Sequence, residues 1–220
     1  MQLIKSKIAL AKAETDKPKG YYEEDEPIEQ ELGFSYTESI TRTYRFFIDE
    51  DVGAPSKYRV LINMLLSASE NDTIEIVINS GGGRLDSAVA IISAIMQSQA
   101  RVVGYVVGDC YSAASMIALA CHELYVDEFG TFMVHSASYG VGGAHREVSD
   151  RAAFEEGRLN TIYKLIYSGF LTEDEIEKVR CGYTYWMQTK EVRERLEKRD
   201  AYFAELASED EDAEQPVLLS

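Results

Sequence analysis

The chain has 220 residues, 45% of them hydrophobic, enough for one substantial core with extensions. Its 22 Lys and Arg stand against 38 Asp and Glu, and the resulting net charge of −16 repels phosphate backbones and argues against nucleic-acid binding. No run approaches the roughly 20 apolar residues of a membrane-spanning helix, and "MQLIKSKIALAKAE" lacks both the continuous apolar stretch and the small-residue cleavage pattern of a signal peptide.

Residues 1–43 are polar, contain Pro18, Gly20 and Pro27, and read as a partly mobile N-terminal extension. "RFFI" opens the regular part as a short strand. "SKYRVLINMLLSAS", Ser56 to Ser69, sets Val60, Leu61, Met64, Leu65 and Ala68 at helical spacing. "TIEIVINS", Thr73 to Ser80, is a β-branched strand broken by "GGG", and "LDSAVAIISAIMQS", Leu85 to Ser98, is again helical. "RVVGYVVG" predicts a strand and "SAASMIALAC" a small-residue helix, followed by short strands in "ELYVD" and "GTFMVH". A glycine-rich loop, "SYGVGGAH", leads into a long helix from about Glu147 to Tyr167. "TEDEIEKV" starts with a Thr cap and acids in its first turn, as helices do. "TKEVRERLEKRDAYFAEL" closes the ordered part, a domain over 44–200, and 201–220 reads as an acidic tail.

The three cysteines form no CxxC pair, which fits reduced thiols and a cytoplasmic protein better than a disulfide framework. His122, His135 and His145 lack zinc-site spacing, so neither a metal nor a cofactor is expected. Strands alternating with helices predict an α/β fold with parallel pairing through right-handed crossovers. In open α/β sheets, sites gather at the carboxyl ends of strands. Three features fall there: "NSGGG", Ser112 at the seam of "GDCYSAASMIALA", and His135 at the end of "FMVH". Ser112 reads either as a helix N-cap or as a nucleophile. His135 has the intrinsic basicity of a general base at neutral pH, or is a satisfied structural residue. The glycines offer unblocked N–H groups, as does Ala113 directly after the serine, or they form only a turn. Ser115 reads as a helix cap or back-bonding serine, and Cys110 as a packing residue.

Taken together, "IVINSGGGRLDSAVAI", "VVGDCYSAASMIALA", "FMVHSASYGVGGAHREV" and "YWMQTKEV" resemble, in order and spacing, the motifs of ClpP, the proteolytic subunit of Clp proteases, from roughly Tyr44 to Leu196. The departures resemble those of its divergent phage members. The resemblance implies a crotonase/ClpP-like fold of repeated ββα units with a long handle helix. It implies a serine endopeptidase with Ser112 as nucleophile, His135 as base and an oxyanion hole at Gly82, Gly83 and Ala113. It also implies a homo-oligomer of two stacked heptameric rings, peptide substrates, and an AAA+ unfoldase partner that alone uses ATP. "SYGVGGAH" then corresponds to a strand-like segment that aligns peptide and pairs rings.

The pattern breaks at the triad acid. Aligning "YTYWM" on the family's last motif sets Thr184 where an Asp belongs, and no acid lies between Glu177 and Glu191. Three outcomes stay open: Ser112–His135–Thr184 works as a tempered triad; an acid such as Asp174, Asp150 or one from a neighbouring subunit turns in; or the subunit is inactive and scaffolds or modulates a Clp protease. A crotonase-type hydratase or isomerase shares the fold by analogy only. Gly81 replaces the family's Pro, and "HSAS" lacks the Pro that usually follows the His.

Overall fold

The structure is a computed structural model that describes residues 40–213, with side chains to 208. The expected N-terminal extension lies almost wholly outside the described residues. In chain order the elements are β1 (Thr43–Ile48), a 3-10 turn (Pro55–Tyr58), α1 (Arg59–Ser67), β2 (Thr73–Ser80), α2 (Leu85–Gln97), β3 (Arg101–Tyr111), α3 (Ala113–Ala120), β4 (Glu123–Val126), β5 (Thr131–Val134), α4 (His145–Tyr167), α5 (Glu173–Arg180), β6 (Tyr185–Gln188) and α6 (Thr189–Ala213).

The six-stranded sheet runs β1-β2-β3-β5-β6, and β4 also pairs with β3. All pairs are parallel except β5 with β6. The expected parallel α/β architecture is therefore present, and β6 adds an antiparallel edge. The length of β3 explains how two strands share one of its sides: Val103 to Val106 pair with β4, and Asp109 to Tyr111 pair with β5.

β2 buries one face completely, with Ile74, Ile76 and Ile78 all at 0% exposure. α2 lays Ile91, Ile92 and Ile95 into the same core, and α3 is buried nearly all round, as its small residues require for close packing on the sheet. α4 buries only Leu159, Tyr163, Ile166 and Tyr167 near its C-terminal end, so most of this long helix lies free of the core. α5 carries the capping box its sequence announces: Thr172 Oγ1 accepts from Glu175 N–H at 3.2 Å, and the Glu175 carboxylate accepts from Thr172 N–H at 2.9 Å.

Three boundaries differ from the sequence expectation. β3 runs to Tyr111 because Asn79 Oδ1 takes the Asp109 N–H at 3.0 Å and carries the pairing past an irregular register between Ile78 and Ser80. A Cβ at Gly108 would sit 2.5 Å from that Asn79 oxygen, so only glycine lets the side chain in. Residues 138–144 form no strand, and a Cβ at Gly140 or Gly142 would meet nothing within 4 Å among the described residues. α6 continues through the boundary expected at 200 and ends at Ala213.

Candidate active site

Ser112 follows the last residue of β3 and precedes the first of α3. Its backbone has φ 53° and ψ −119°, and it is the one non-glycine residue with positive φ among those described. Such a conformation is strained for an L-residue and persists only where the surroundings enforce it. They do so here through the Ser112 N–H, which donates to Met133 O at 2.7 Å and binds the turn to β5. The Ser112 side chain makes no capping hydrogen bond to α3. Instead, Ser112 Oγ lies 2.7 Å from His135 Nε2. Of the two readings open for this hydroxyl, the geometry removes the cap.

His135 directly follows β5, and β5 is held between β3 and β6. The ring thus meets the serine because β5 pairs with the very residues that end β3. Cys110, two residues before Ser112, does not share this face. It is fully buried in the core, burial pushes its thiol well up, and the positive φ at Ser112 breaks the strand alternation between them.

The glycine turn approaches from β2. Gly82 has φ +93°, and a Cβ there would lie 2.5 Å from Tyr111 O and 2.8 Å from Ser112 Cβ. Glycine is therefore obligatory for contact with the serine turn. Its N–H, however, donates to Ser80 Oγ at 3.2 Å, and Ser80 is itself fixed on Glu50 O. Gly82 is thus a spacer, while Gly83 N–H has no acceptor among the described residues. Ala113 opens α3, where the first N–H groups have no intrahelical acceptor. These two amides flank Ser112, as an oxyanion would require. The turn is latched to the segment after β1: Val52 N–H donates to Gly82 O at 2.7 Å and Arg84 N–H to Val52 O at 2.8 Å.

Ser112, His135, Gly83, Met116, Met133 and Tyr163 line a groove of about 600 Å³. Tyr163, 2% exposed, reaches it from α4 and accepts a hydrogen bond from Ala137 N–H, which fixes the chain just after His135. Burial pushes its phenol up. A larger hollow of about 1100 Å³ between α5, β6 and α6 shares no lining residue with this groove and contains the paired charges of Glu175 and Arg195.

The third position differs. The β5–β6 register pairs Val134 with Tyr185; one step further, Thr184 stands across from His135. Yet no hydrogen bond joins Thr184 to His135, and His135 Nδ1 has no partner among the described residues. Asp174 is paired with Lys178 at 2.5 Å and Asp150 with Arg146 at 3.6 Å, both on exposed helix faces, so neither turns in within the chain. Sequence reasoning missed two contributors, Ser80, which occupies the Gly82 amide, and Tyr163. Ser80 borders the "GGG" motif, whereas nothing in the sequence links Tyr163 to residue 137.

Elsewhere, His122 Nδ1 accepts from Val102 N–H at 3.1 Å, a structural role. Among the described residues no three His, Cys, Asp or Glu side chains gather as a metal would need. The three cysteines are unpaired. No helix among the described residues is long and apolar enough to cross a membrane.

The family model described as Clp protease matches residues 29–194. No curated protein matches the chain.

Proposed function

Since the chain belongs to the Clp protease family, we propose that it is a ClpP-like serine endopeptidase with Ser112 as nucleophile and His135 as general base. The observation that carries this reading is the 2.7 Å contact between Ser112 Oγ and His135 Nε2, made by a serine held in a strained turn beside free backbone amides.

In the proposed reaction, His135 Nε2 takes the hydroxyl proton as Ser112 Oγ attacks the scissile carbonyl carbon. Charge on the former carbonyl oxygen is met by the N–H groups of Gly83 and Ala113, with the positive end of α3 behind them. The imidazolium then protonates the leaving amine. Water, deprotonated by the same ring, attacks the acyl-serine and releases the second peptide. In the Ser-His-Asp template, replacing the Asp by Asn lowers turnover by about 10⁴, roughly 5.5 kcal/mol of barrier, partly by favouring the wrong tautomer. A Thr184 hydroxyl does not impose that tautomer. Hydrogen bonds of catalytic groups often tighten only with substrate bound, and Thr184 is proposed to close onto Nδ1 there as a neutral orienting group.

The resemblance extends the proposal to two stacked heptameric rings, an AAA+ unfoldase that delivers unfolded chains, and a cytoplasmic setting. A chamber that excludes folded proteins by size makes a broad-specificity peptidase safe. The unpartnered Nδ1 favours one second reading, a catalytically impaired subunit that scaffolds or modulates a Clp protease. The test is hydrolysis of a short fluorogenic peptide by the assembled protein beside Ser112→Ala. Turnover abolished by the substitution supports the peptidase; equal background from both proteins supports the scaffold.

A further inference from the structure

Ser115 lies one turn into α3, is 0% exposed, and is flanked in sequence by the buried residues Ala113, Ala114 and Met116. Its hydroxyl reaches two backbone carbonyls, Ser112 O at 2.7 Å and Met133 O at 3.2 Å. One belongs to the strained serine; the other stands two residues before His135 on β5. Behind it Tyr167 of α4, 1% exposed, rests its phenol against the same hydroxyl.

Satisfying buried acceptors does not account for a serine here. Met133 O already accepts the Ser112 N–H at 2.7 Å, and Ser112 O already accepts the Met116 N–H at 3.2 Å. Alanine, which occupies positions 113, 114 and 118 of the same helix, is the better helix former. Both carbonyls keep another donor when the hydroxyl is removed, so its loss leaves neither acceptor unpaired. What the hydroxyl adds is a cross-tie between the two segments that carry Ser112 and His135.

We propose that Ser115 is a positioning residue: its hydroxyl clamps the β3–α3 seam to the end of β5 and so holds Ser112 in its positive-φ turn, with Oγ within reach of His135 Nε2. Its effect on turnover rests on the peptidase reading; its effect on geometry does not. Productive attack tolerates little misplacement, and a shift of about 1 Å can lower rate about 100-fold.

The test is Ser115→Ala and Ser115→Thr in the full chain. Thr keeps a hydroxyl able to bond the carbonyl three residues back. The expected result for Ser115→Ala is a kcat lowered about 10- to 100-fold, an unchanged KM, an unchanged ring size and a nearly unchanged melting temperature, with kcat largely restored in Ser115→Thr. A crystal structure of Ser115→Ala is expected to show Ser112 released from positive φ or its Oγ beyond hydrogen-bond reach of His135. The proposal is overturned by wild-type kcat in Ser115→Ala, or by a crystal structure in which the Ser112 turn and its contact with His135 persist. If the wild-type protein itself hydrolyses nothing, the peptidase reading fails, and the crystal structure still decides the role of Ser115.

Discussion

On the serine side of the groove, the N–H groups of Ser112, Gly82, Val52 and Arg84 all have fixed acceptors at 2.7 to 3.2 Å. On the far side of His135, the ring's second nitrogen meets no acceptor among the described residues, and the chain runs from Ser136 to Ala144 without regular structure. The first region is preorganised by backbone ties to Met133, Gly82 and Val52 together with the hydroxyls of Ser80 and Ser115. The second is held by Tyr163 at Ala137 and by whatever Thr184 supplies. The serine side of the proposed triad is therefore built rigidly and the histidine side loosely, and the loose side is where the proposal has Thr184 in place of an acid. Preorganisation on the serine side lowers the reorganisation required during attack; on the histidine side, tautomer and orientation depend on contacts yet to form.

The largest break of this contrast is Gly82→Ala. The new Cβ meets Tyr111 O at 2.5 Å in a backbone with φ +93°, and the serine turn must move. Peptide hydrolysis is expected to fall by about 100-fold or more, with a loss of stability of about 3 kcal/mol, read by steady-state kinetics and thermal melting. Wild-type rates would show that the turn is not rigid.

Thr184→Asp acts on the histidine side. A carboxylate across from His135 supplies the missing acceptor and charge, and kcat is expected to rise by about 10- to 100-fold, less than the template's full 10⁴ because the backbone was not built for it. The peptide assay reads this directly; a fall in kcat would place the working acceptor elsewhere, as in a neighbouring subunit. Thr184→Val, which removes only a neutral hydroxyl, is expected to lower kcat by about threefold with KM unchanged, the scale of one net hydrogen bond.

The smallest effect on catalysis is expected from the tie that holds the segment carrying Thr184. Residue 184 lies between α5 and β6, and α5 is fastened to α6 by Glu175 and Arg195, 2.8 Å apart and both mostly buried. The Arg195 hydrogen bonds hold the Glu175 carboxyl down at about 2 from its ordinary 4.5. A carboxylate lowered in the folded state contributes stability that is fully present above the unfolded value and is lost as pH falls toward the folded one. The contribution, roughly 3 kcal/mol at most, is thus expected at neutral pH and fades between pH 4.5 and about 2. Melting of Glu175→Gln beside wild type should show a gap at pH 7 that closes across that window, with little change in kcat at pH 7. A gap independent of pH would assign the loss to packing.

Most elements were legible because their signals are local. Period-3.6 apolar spacing marks α1 and α2, β-branched runs mark β2 and β3, and the Thr cap with acids in the first turn marks α5. β6 was not read as a strand, because "YWMQ" is too short to show alternation and gains its strand character only from β5 beside it. The end of β3 was misjudged because Asn79, thirty residues away, extends the pairing. Ser112 and His135 could be picked out as candidates, but a serine at a strand–helix seam reads the same whether it caps or attacks; the backbone angle decides, and sequence does not encode it locally. Gly82 shows the same limit. Its glycine was necessary for contact with Tyr111 and Ser112, while the capture of its amide by Ser80 depends on how β2 ends.

In the proposed reaction Ser112 is an activated nucleophile without a carboxylate behind His135. This is tested most directly by treating the assembled full chain with a fluorophosphonate and locating the adduct by peptide mass mapping. Stoichiometric phosphonylation is expected on Ser112, absent from Ser112→Ala and slowed in His135→Ala. An unmodified Ser112 in a correctly assembled ring would contradict it and leave the assembly, not the serine, as the seat of function.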